Sequence, residues 1–570
     1  MFQSIMDNVF LLMSKYINKI LTSSFSIDNL ENIVVEIPNN PQHGELSTNA
    51  ALVVGKTIKK NPREVATLFL GDFRKLEFIK EVQIEGPGFI NFRLKEQFWS
   101  GFLKDVLKSS KTYGLENIGN GKQINLEFVS VNPTGPLHIG HARGAIYGDA
   151  IANILSAMGY NITKEYYIND AGKQINTLIE SLKIRYKNLS GANLSIPADC
   201  YPGEYLIDVA SKAKEQFKAD LDVVDQRELA DFAVNEVMNL IKQDLADLGI
   251  RHDVFVSEYH DIIKESKIQI ALEMLEEKGL IYQGILEAPK SVNEQDWEAT
   301  QQTIFKSTNF GDDGDRTIIR SDGSYTYFVG DIAYHYYKLE RGYNDMILLL
   351  GADHSGYVKR IKAIVSALSD NKATIDVKIN QLVNLYKNGQ PFKMSKRAGN
   401  FITVRDVLNE IGKDTFRFAI LTKKNDTVLD IDFAALKEQN KDNPVWYVQY
   451  AHTRCQSVLK KAQELGSSNE ELDYSYFPED MNLIKMIALY PKILAAAASY
   501  HEPHRLNYYL QELANSFHQL WSGGNSNNKL RFINEQDKKL TQSRLVLVQI
   551  VANIISSGLK LLGIEPINEM

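Results

Sequence analysis

Residues 123–144 read QINLEFVSVNPTGPLHIGHARG. At the start, apolar and polar positions alternate. Ile124, Leu126 and Phe128 point one way, and Asn125, Glu127 and Val129 the other. A period of two over QINLEFVSV predicts a half-buried strand. Asn132 to Pro136 is a Pro/Gly turn. Beyond it, Ile146, Ala150, Ile151 and Ile154 recur at helical spacing and predict a helix from about His138 to Met158, with Gly159 suited to its C-terminal end. NITKEYYI, at 161–168, then has strand character. Strand, turn, helix and strand make a βαβ unit, which implies a parallel sheet with a right-handed crossover.

His138 and His141 stand at the strand-to-helix corner with Gly140 between them. Three readings compete. Two histidines three apart suit a zinc ion, but no HExxH accompanies them. They also suit two hydrogen-bonded histidines at a helix start. Position favours the third reading, an anion site. Helix N–H groups and the positive end of the helix dipole converge there, Gly140 permits close approach, and imidazole N–H groups donate to phosphate oxygens. No GxxxxGK[ST] occurs, so this is not a P-loop. Ligands of open parallel sheets bind beyond the carboxyl ends of the strands, where this turn lies.

The bulk numbers admit several domains in 570 residues. A 44% hydrophobic and 24% charged composition is ordinary for a soluble protein. A net charge of −7 argues against a general nucleic-acid coat while leaving room for a shaped partner held by local patches. The two cysteines, Cys200 and Cys455, form no CxxC, which disfavours a thiolate zinc site and fits a reducing compartment. MFQSIMDNVFLLMSKYINKI is too short an apolar run to span a bilayer and lacks a small-residue cleavage site. Phe10, Met13 and Ile17 instead mark one face of a helix, and a cytoplasmic location without a membrane is expected.

Residues 1–118 read as a small α+β unit, punctuated by Gly86-Pro87-Gly88. Residues 175–270 read as a helical insertion or as helices covering the sheet. VNLYKNGQPFKM predicts a hairpin centred on Asn388-Gly389. From 443 to 570 the pattern is helical, with as many Lys+Arg as Asp+Glu over 441–570.

A second motif, Lys393-Met394-Ser395-Lys396-Arg397, follows that hairpin, and Thr403 with Asp406 predicts a capped helix start just after it. Alone, a basic loop is a solvated turn. Beside an HxGH corner it reads as a clamp for pyrophosphate, where lysine charge offsets charge on leaving oxygens.

HIGH and KMSKR together resemble the signature pair of class I aminoacyl-tRNA synthetases, and EFVSVNPTGPLHIGHARGAIYGDAIA resembles the arginyl-tRNA synthetase version. The likeness runs through GPGFINF, EYYINDAGKQI, YFVGDIAYH, GADHSGYVKR, NPVWYVQYAHTR and LLGIEP. It implies a multidomain protein with a Rossmann-like parallel-sheet α/β catalytic domain over 119–400, an N-terminal α+β tRNA-binding domain over 1–118, a connecting segment over 401–442, and an all-α anticodon-binding bundle over 443–570. It further implies ATP with Mg2+, L-arginine and an arginine-specific tRNA as ligands, and a monomer is the default. Activation is expected to need bound tRNA.

By the same resemblance, His138, His141, Lys393 and Lys396 are catalytic. ATP lies on Pro133, Thr134, Gly135, Pro136, Leu137, Ile139, Gly140, Met394 and Ser395 as well. Arginine is expected on Glu127, Asn132, Tyr327, Asp331 and His354, because a guanidinium wants planar carboxylates. Glu127 also suits a plain strand-edge carboxylate, and Asp331 a cap for IAYHYYKLE. Trp446, Tyr447, Tyr450 and Arg454 are the expected tRNA contacts, though their helical spacing equally suits a core. No metal ligands are expected. Three rivals remain: another HxGH nucleotidyltransferase that uses no RNA, a non-catalytic paralogue, and a sister class I synthetase.

Overall fold

The computed structural model describes residues 8–27, 32–286, 300–391, 402–466 and 472–570. The chain divides into two compact units, Asn117–Glu438 on the one hand and Met1–Glu116 with Gln439–Met570 on the other.

In the unit Asn117–Glu438, five strands form one sheet: β1 (Gln123–Glu127), β2 (Asn161–Ile168), β3 (Val254–Ser257), β4 (Asp345–Gly351) and β5 (Thr374–Asn380). Their order is β5-β4-β1-β2-β3, and every neighbouring pair is parallel. The chain steps outward from β1 to β3, then returns to the other side of β1 for β4 and β5. The strand order therefore reverses between β1 and β4, and open sheets of this kind bind ligands beyond the carboxyl ends of the strands at such a reversal.

Helix α1 (Ile139–Ala157) joins β1 to β2. Helix α2 (Gln226–Asp247) precedes β3, α3 (Tyr327–Glu340) precedes β4, and α4 (Val358–Ser369) joins β4 to β5. The expected helical stretch at 175–270 thus ends by supplying an edge strand, β3, which pairs with β2 from Val254 to Ser257. A small antiparallel sheet (Ile281–Gly284, Gln302–Phe305 and Arg316–Ile319) lies between β3 and β4 in sequence.

β1 corrects the expected alternation twice. As the middle strand it is buried on both faces, as central parallel strands are. Asn125 and Glu127 therefore enter a buried polar network rather than water. The strand also stops at Glu127 and does not continue through Val131. Val129 (φ 72°) and Ser130 (φ 42°) are both left-handed, which a β-branched residue adopts only under constraint. Phe128, just before them, lies so close to α1 that a Cβ on Gly148 would stand 2.4 Å from its ring.

The expected hairpin forms, Val383–Lys387 against Gln390–Pro391, with Asn388 and Gly389 both left-handed at its turn. Thr403 caps helix α5 (Val404–Ile411), and Asp406 completes the capping box.

In the other unit, the strands Val35–Glu36, Leu46–Thr48, Phe89–Leu94 and Ile79–Glu85 form an antiparallel sheet in that order. The first helix is Val9–Phe25, with Phe10, Met13 and Ile17 buried as their spacing implies. A helix at Pro62–Phe73, unread in the sequence, starts with Asn61 as cap and Pro62 in its first turn and buries Val65, Phe69 and Phe73. The C-terminal segment is all helical: α6 (Pro444–Glu464), then Met481–Ser499, His504–Ser526 and Lys538–Leu561. It packs on the N-terminal segment. Tyr113 donates to the Ile487 carbonyl (2.9 Å), Lys485 to that of Gly44 (3.1 Å) and Lys492 to that of Val35 (2.7 Å). Two helical stretches here, Pro478–Ser499 and Lys538–Leu561, are long and apolar enough to cross a bilayer, but 56% and 67% of their apolar windows are buried inside the protein. That is how core helices of a bundle behave.

Candidate active site

The HIGH corner opens α1 beyond the turn that follows β1, at the reversal of strand order. His138 is the N-cap of α1. Its Nδ1 accepts from the Gly140 N–H (3.1 Å), and His141 Nδ1 accepts from the His138 N–H (3.4 Å). Both neutral rings therefore carry their proton on Nε2. Burial lowers the pKa of His138. Burial and the neighbouring His138 bring His141 down to about 3. At neutral pH the pair offers N–H dipoles rather than cations. The rings stack with centroids 3.5 Å apart.

This arrangement changes the basis of the expected anion site. The first amides of α1 are already used: Ile139 N–H by the Ile402 carbonyl, Gly140 N–H by His138 Nδ1, and His141 N–H by the His138 carbonyl. The imidazoles thus replace the backbone as donors. Gly140 is exposed, and its lack of a side chain serves His138 first: a Cβ there would sit 2.9 Å from His138 Cε1. In the turn ahead, Pro133 is buried, the Thr134 carbonyl accepts from the Tyr205 hydroxyl, and Gly135 faces the Tyr205 ring.

Lys393, Met394, Ser395, Lys396 and Arg397 lie outside the described residues. The segments on either side are described, and both reach the HIGH corner. Ile402 to Val404 pair with Leu137 to Ile139, with His138 opposite Thr403. Before the hairpin, fully buried Arg143 of α1 donates to the carbonyls of Gln381 (2.8 Å), Leu382 (3.3 Å) and, farther along the chain, Lys424 (2.8 Å). Arg143 is not among the expected site residues, although it lies just past the HIGH tetrad.

Four acids crowd the carboxyl ends of β1, β2 and β3 and the start of α3. Their common neighbour is Tyr167, whose hydroxyl is pushed upward by burial and by Glu258, Asp331, Glu127 and Asp170. Two of the four are already matched. Glu127 accepts from Lys338 (2.5 Å) and from Ser130 Oγ (2.9 Å). Asp170 accepts from Ser257 Oγ (2.5 Å) and the Tyr259 N–H (2.8 Å), with Arg227 at 3.6 Å. Asp331 is different. It is the fifth residue of α3, whose N-cap is Thr326, so it caps nothing. No hydrogen bond or ion pair from another described residue reaches its carboxylate. Burial, then Glu127 and Glu258, push it up to about 7, against a smaller pull from Arg360. Glu258, immediately after β3, is pushed up to about 7 by burial and Asp170. Its Oε2 accepts from the Asn169 amide (2.7 Å) once that amide is turned to satisfy both ends. Asp331 and Glu258 are therefore the charges left open for a cation. Glu258 was missed in the sequence because only the four-residue strand before it signals the position.

The remaining expected residues are open to solvent. Tyr327, first in α3, is 89% exposed. Asn132 is exposed, and His354 stands at the end of β4 beside Asp353 (3.3 Å), largely solvated.

In the other unit, the residues of α6 form a ladder. Trp446 stacks on Tyr450 (4.6 Å), and Arg454 lies over Tyr450 (4.1 Å) and over Trp521 (4.8 Å). Tyr447 turns to His518 (4.4 Å), which is held between Arg454 and the Tyr447 carbonyl. These aromatics are neither wholly core nor free. Trp446, Tyr447, Tyr450 and Arg454 are all half-buried.

Comparison with known proteins matches the chain in three stretches: "Arginyl tRNA synthetase N terminal domain" over 12–94, "tRNA synthetases class I (R), catalytic domain" over 103–451 and "DALR anticodon binding domain" over 448–570. The arginine–tRNA ligase of Wolbachia pipientis subsp. Culex pipiens (strain wPip) is 47% identical over 561 residues, covering 98% of each chain. That of Ehrlichia ruminantium (strain Welgevonden) is 46% identical over 95% of each. The Thermus thermophilus arginyl-tRNA synthetase structure shares the fold, with a TM-score of 0.75 at 19% identity over 99% of this chain and 100% of that one. With a catalytic-domain match across more than half its length and relatives near half identical end to end, the chain belongs to the arginyl-tRNA synthetases, a class I aminoacyl-tRNA synthetase family.

Proposed function

We propose that this chain is an ATP-dependent arginine–tRNA ligase. In the first step, an arginine carboxylate oxygen attacks the ATP α-phosphorus. The bond to the bridging oxygen breaks, and pyrophosphate leaves with arginyl-adenylate formed. In the second, the terminal ribose hydroxyl of tRNA attacks the arginyl carbonyl and AMP leaves. No covalent enzyme intermediate is needed, so catalysis is positioning and charge stabilisation.

The observation that carries the reading is the pairing of two features at one reversal of strand order: stacked, neutral histidines with Nε2 donors, and an acid pocket with two unmatched carboxylates. His138 and His141 donate to ATP phosphates, and Lys393 and Lys396 steady the pyrophosphate. Pro133 to Gly140, Met394 and Ser395 complete the nucleotide site. Asp331 and Glu258 take the guanidinium. Lys338-bound Glu127, with Asn132, Tyr327 and His354, lines the rest. A fork-shaped cation satisfies both open acids; lysine leaves one unpaired and citrulline both, so discrimination needs no editing. Magnesium is carried in on the triphosphate, held mainly by phosphates and water.

The N-terminal segment 1–118 and the helices of 443–570 take the tRNA, the latter offering Trp446, Tyr447, Tyr450 and Arg454 to anticodon bases. The enzyme works as a monomer in the cytoplasm. Purified protein with ATP, magnesium, total tRNA and each labelled amino acid in turn tests the reading. Arginine alone should charge. Charging of another amino acid, or of none, would refute it.

A further inference from the structure

The reactive corner is held from outside by a segment that no motif marks. Leu137, fully buried, immediately precedes His138. Its N–H donates to Asp244 Oδ2 on α2 (3.0 Å), and its carbonyl accepts from the Val404 N–H (2.9 Å). Ile139 N–H donates to the Ile402 carbonyl (2.9 Å), and His138 and Thr403 face each other as an antiparallel bridge. The capping box of Thr403 and Asp406 fixes that segment to α5. Arg405 then reaches back to α2, 3.0 Å from Asp247 and 3.7 Å from Asp244. The contacts close a ring: Leu137, Asp244, Arg405, Val404 and Leu137 again.

The direction of the His138 ring follows from its backbone (φ −107°, ψ 170°) and from the peptide planes on either side. The preceding residue is pinned at both its N–H and its carbonyl, and the following N–H is pinned as well. A catalytic group displaced by about 1 Å loses on the order of a hundredfold in rate, so such pinning bears directly on catalysis. We propose that the ring of Leu137, Asp244, Arg405 and Val404 is the device that aims His138 at ATP, with Val404 and Asp244 as positioning residues for adenylate formation. The proposal rests on the arginine-activating reading above.

Val404→Pro isolates the device. Val404 is the first residue of α5, where proline is best tolerated, and Thr403 before it is extended (φ −76°, ψ 156°), as a residue preceding proline prefers. The exchange deletes one N–H and leaves the helix. Val404→Ala keeps the N–H and loses only side-chain packing. In ATP–pyrophosphate exchange with tRNA present, V404P should lower kcat at least tenfold, with KM for arginine within twofold and a melting temperature close to that of V404A. V404A should stay within about threefold of wild type. V404P with the same kcat as V404A overturns the proposal. Should V404P fail to fold, Asp244 gives the same test. D244A should lose at least tenfold in kcat, and D244N, whose amide oxygen still accepts from Leu137, should recover most of it. Equal effects of D244A and D244N overturn the proposal. A wild type without arginine-dependent exchange overturns the functional reading beneath it instead.

Discussion

Asp331→Asn keeps the shape of the side chain and removes its charge. In the folded protein this carboxyl is held up at about 7 by burial and by Glu127 and Glu258. Two effects of opposite sign follow. A charge-assisted hydrogen bond to a guanidinium contributes about 1.5–3 kcal/mol, so KM for arginine at pH 8 should rise about 10- to 100-fold. Stability moves the other way. The folded pKa lies above the ordinary 3.8, so between those values the native state binds more protons than the unfolded chain, and stability falls as pH rises through that window. At about 1.4 kcal/mol per pKa unit, the shift from 3.8 to about 7 caps the cost at about 4 kcal/mol at pH 8, and solvent screening of the half-buried side chain reduces it to about 1–2 kcal/mol. The variant escapes that cost. It should melt about 1.5–3 °C above wild type at pH 8, and the gap should close toward pH 4. The assays are ATP–pyrophosphate exchange with varied arginine in the presence of tRNA, and thermal unfolding at both pH values. An unchanged KM would refute the guanidinium assignment. A lower melting temperature at pH 8 would refute the claim that the carboxylate is unmatched.

Because Asp331 and Glu258 both sit near 7, arginine binding must displace their protons. Wild-type KM for arginine should therefore rise as pH falls from 8 to 6, with a slope approaching two protons, against at most one in D331N, measured by exchange at fixed ionic strength. His141→Ala should leave folding intact and lower exchange at least tenfold, or about 1.4 kcal/mol of barrier; full activity in a folded variant counts against the role. Gly140→Ala sets a Cβ 2.9 Å from His138 Cε1 and should lower kcat about tenfold while moving urea stability by less than about 1 kcal/mol. Lys338→Met strips Glu127 of its buried partner and should cost about 3–5 kcal/mol in urea unfolding; a loss below about 1 kcal/mol would show the pair to be solvated.

The local half of the fold was legible in the sequence. NITKEYYI is β2 residue for residue, the turn Asn388-Gly389 forms a hairpin, and Thr403 with Asp406 caps a helix, because each rests on contacts within a few residues. Failures came where tertiary contacts decide. Val129 looked like the end of an alternating strand, yet the crowding of Phe128 against Gly148 accompanies a turn into left-handed backbone there. β3 is four residues beside a long helix, too short for periodicity to register. In the site, the histidines and Asp331 are expectations from motif and resemblance, and their roles stay proposals. Glu258 and Lys338 are not among them, since their roles depend on which acids already have a cation. Of the donors expected at the corner, the first amides of α1 already have partners at 138 and 402, which leaves the imidazole N–H groups.

On this reading the histidine corner and the lysines at 393 and 396 act on one triphosphate. A double-mutant cycle on His141→Ala and Lys396→Ala, read as single-turnover arginyl-adenylate formation with saturating tRNA, tests it most directly. The losses should be non-additive, with a coupling of about 1 kcal/mol or more. Losses that add to within about 0.3 kcal/mol would show two groups that do not share a substrate, and would contradict it.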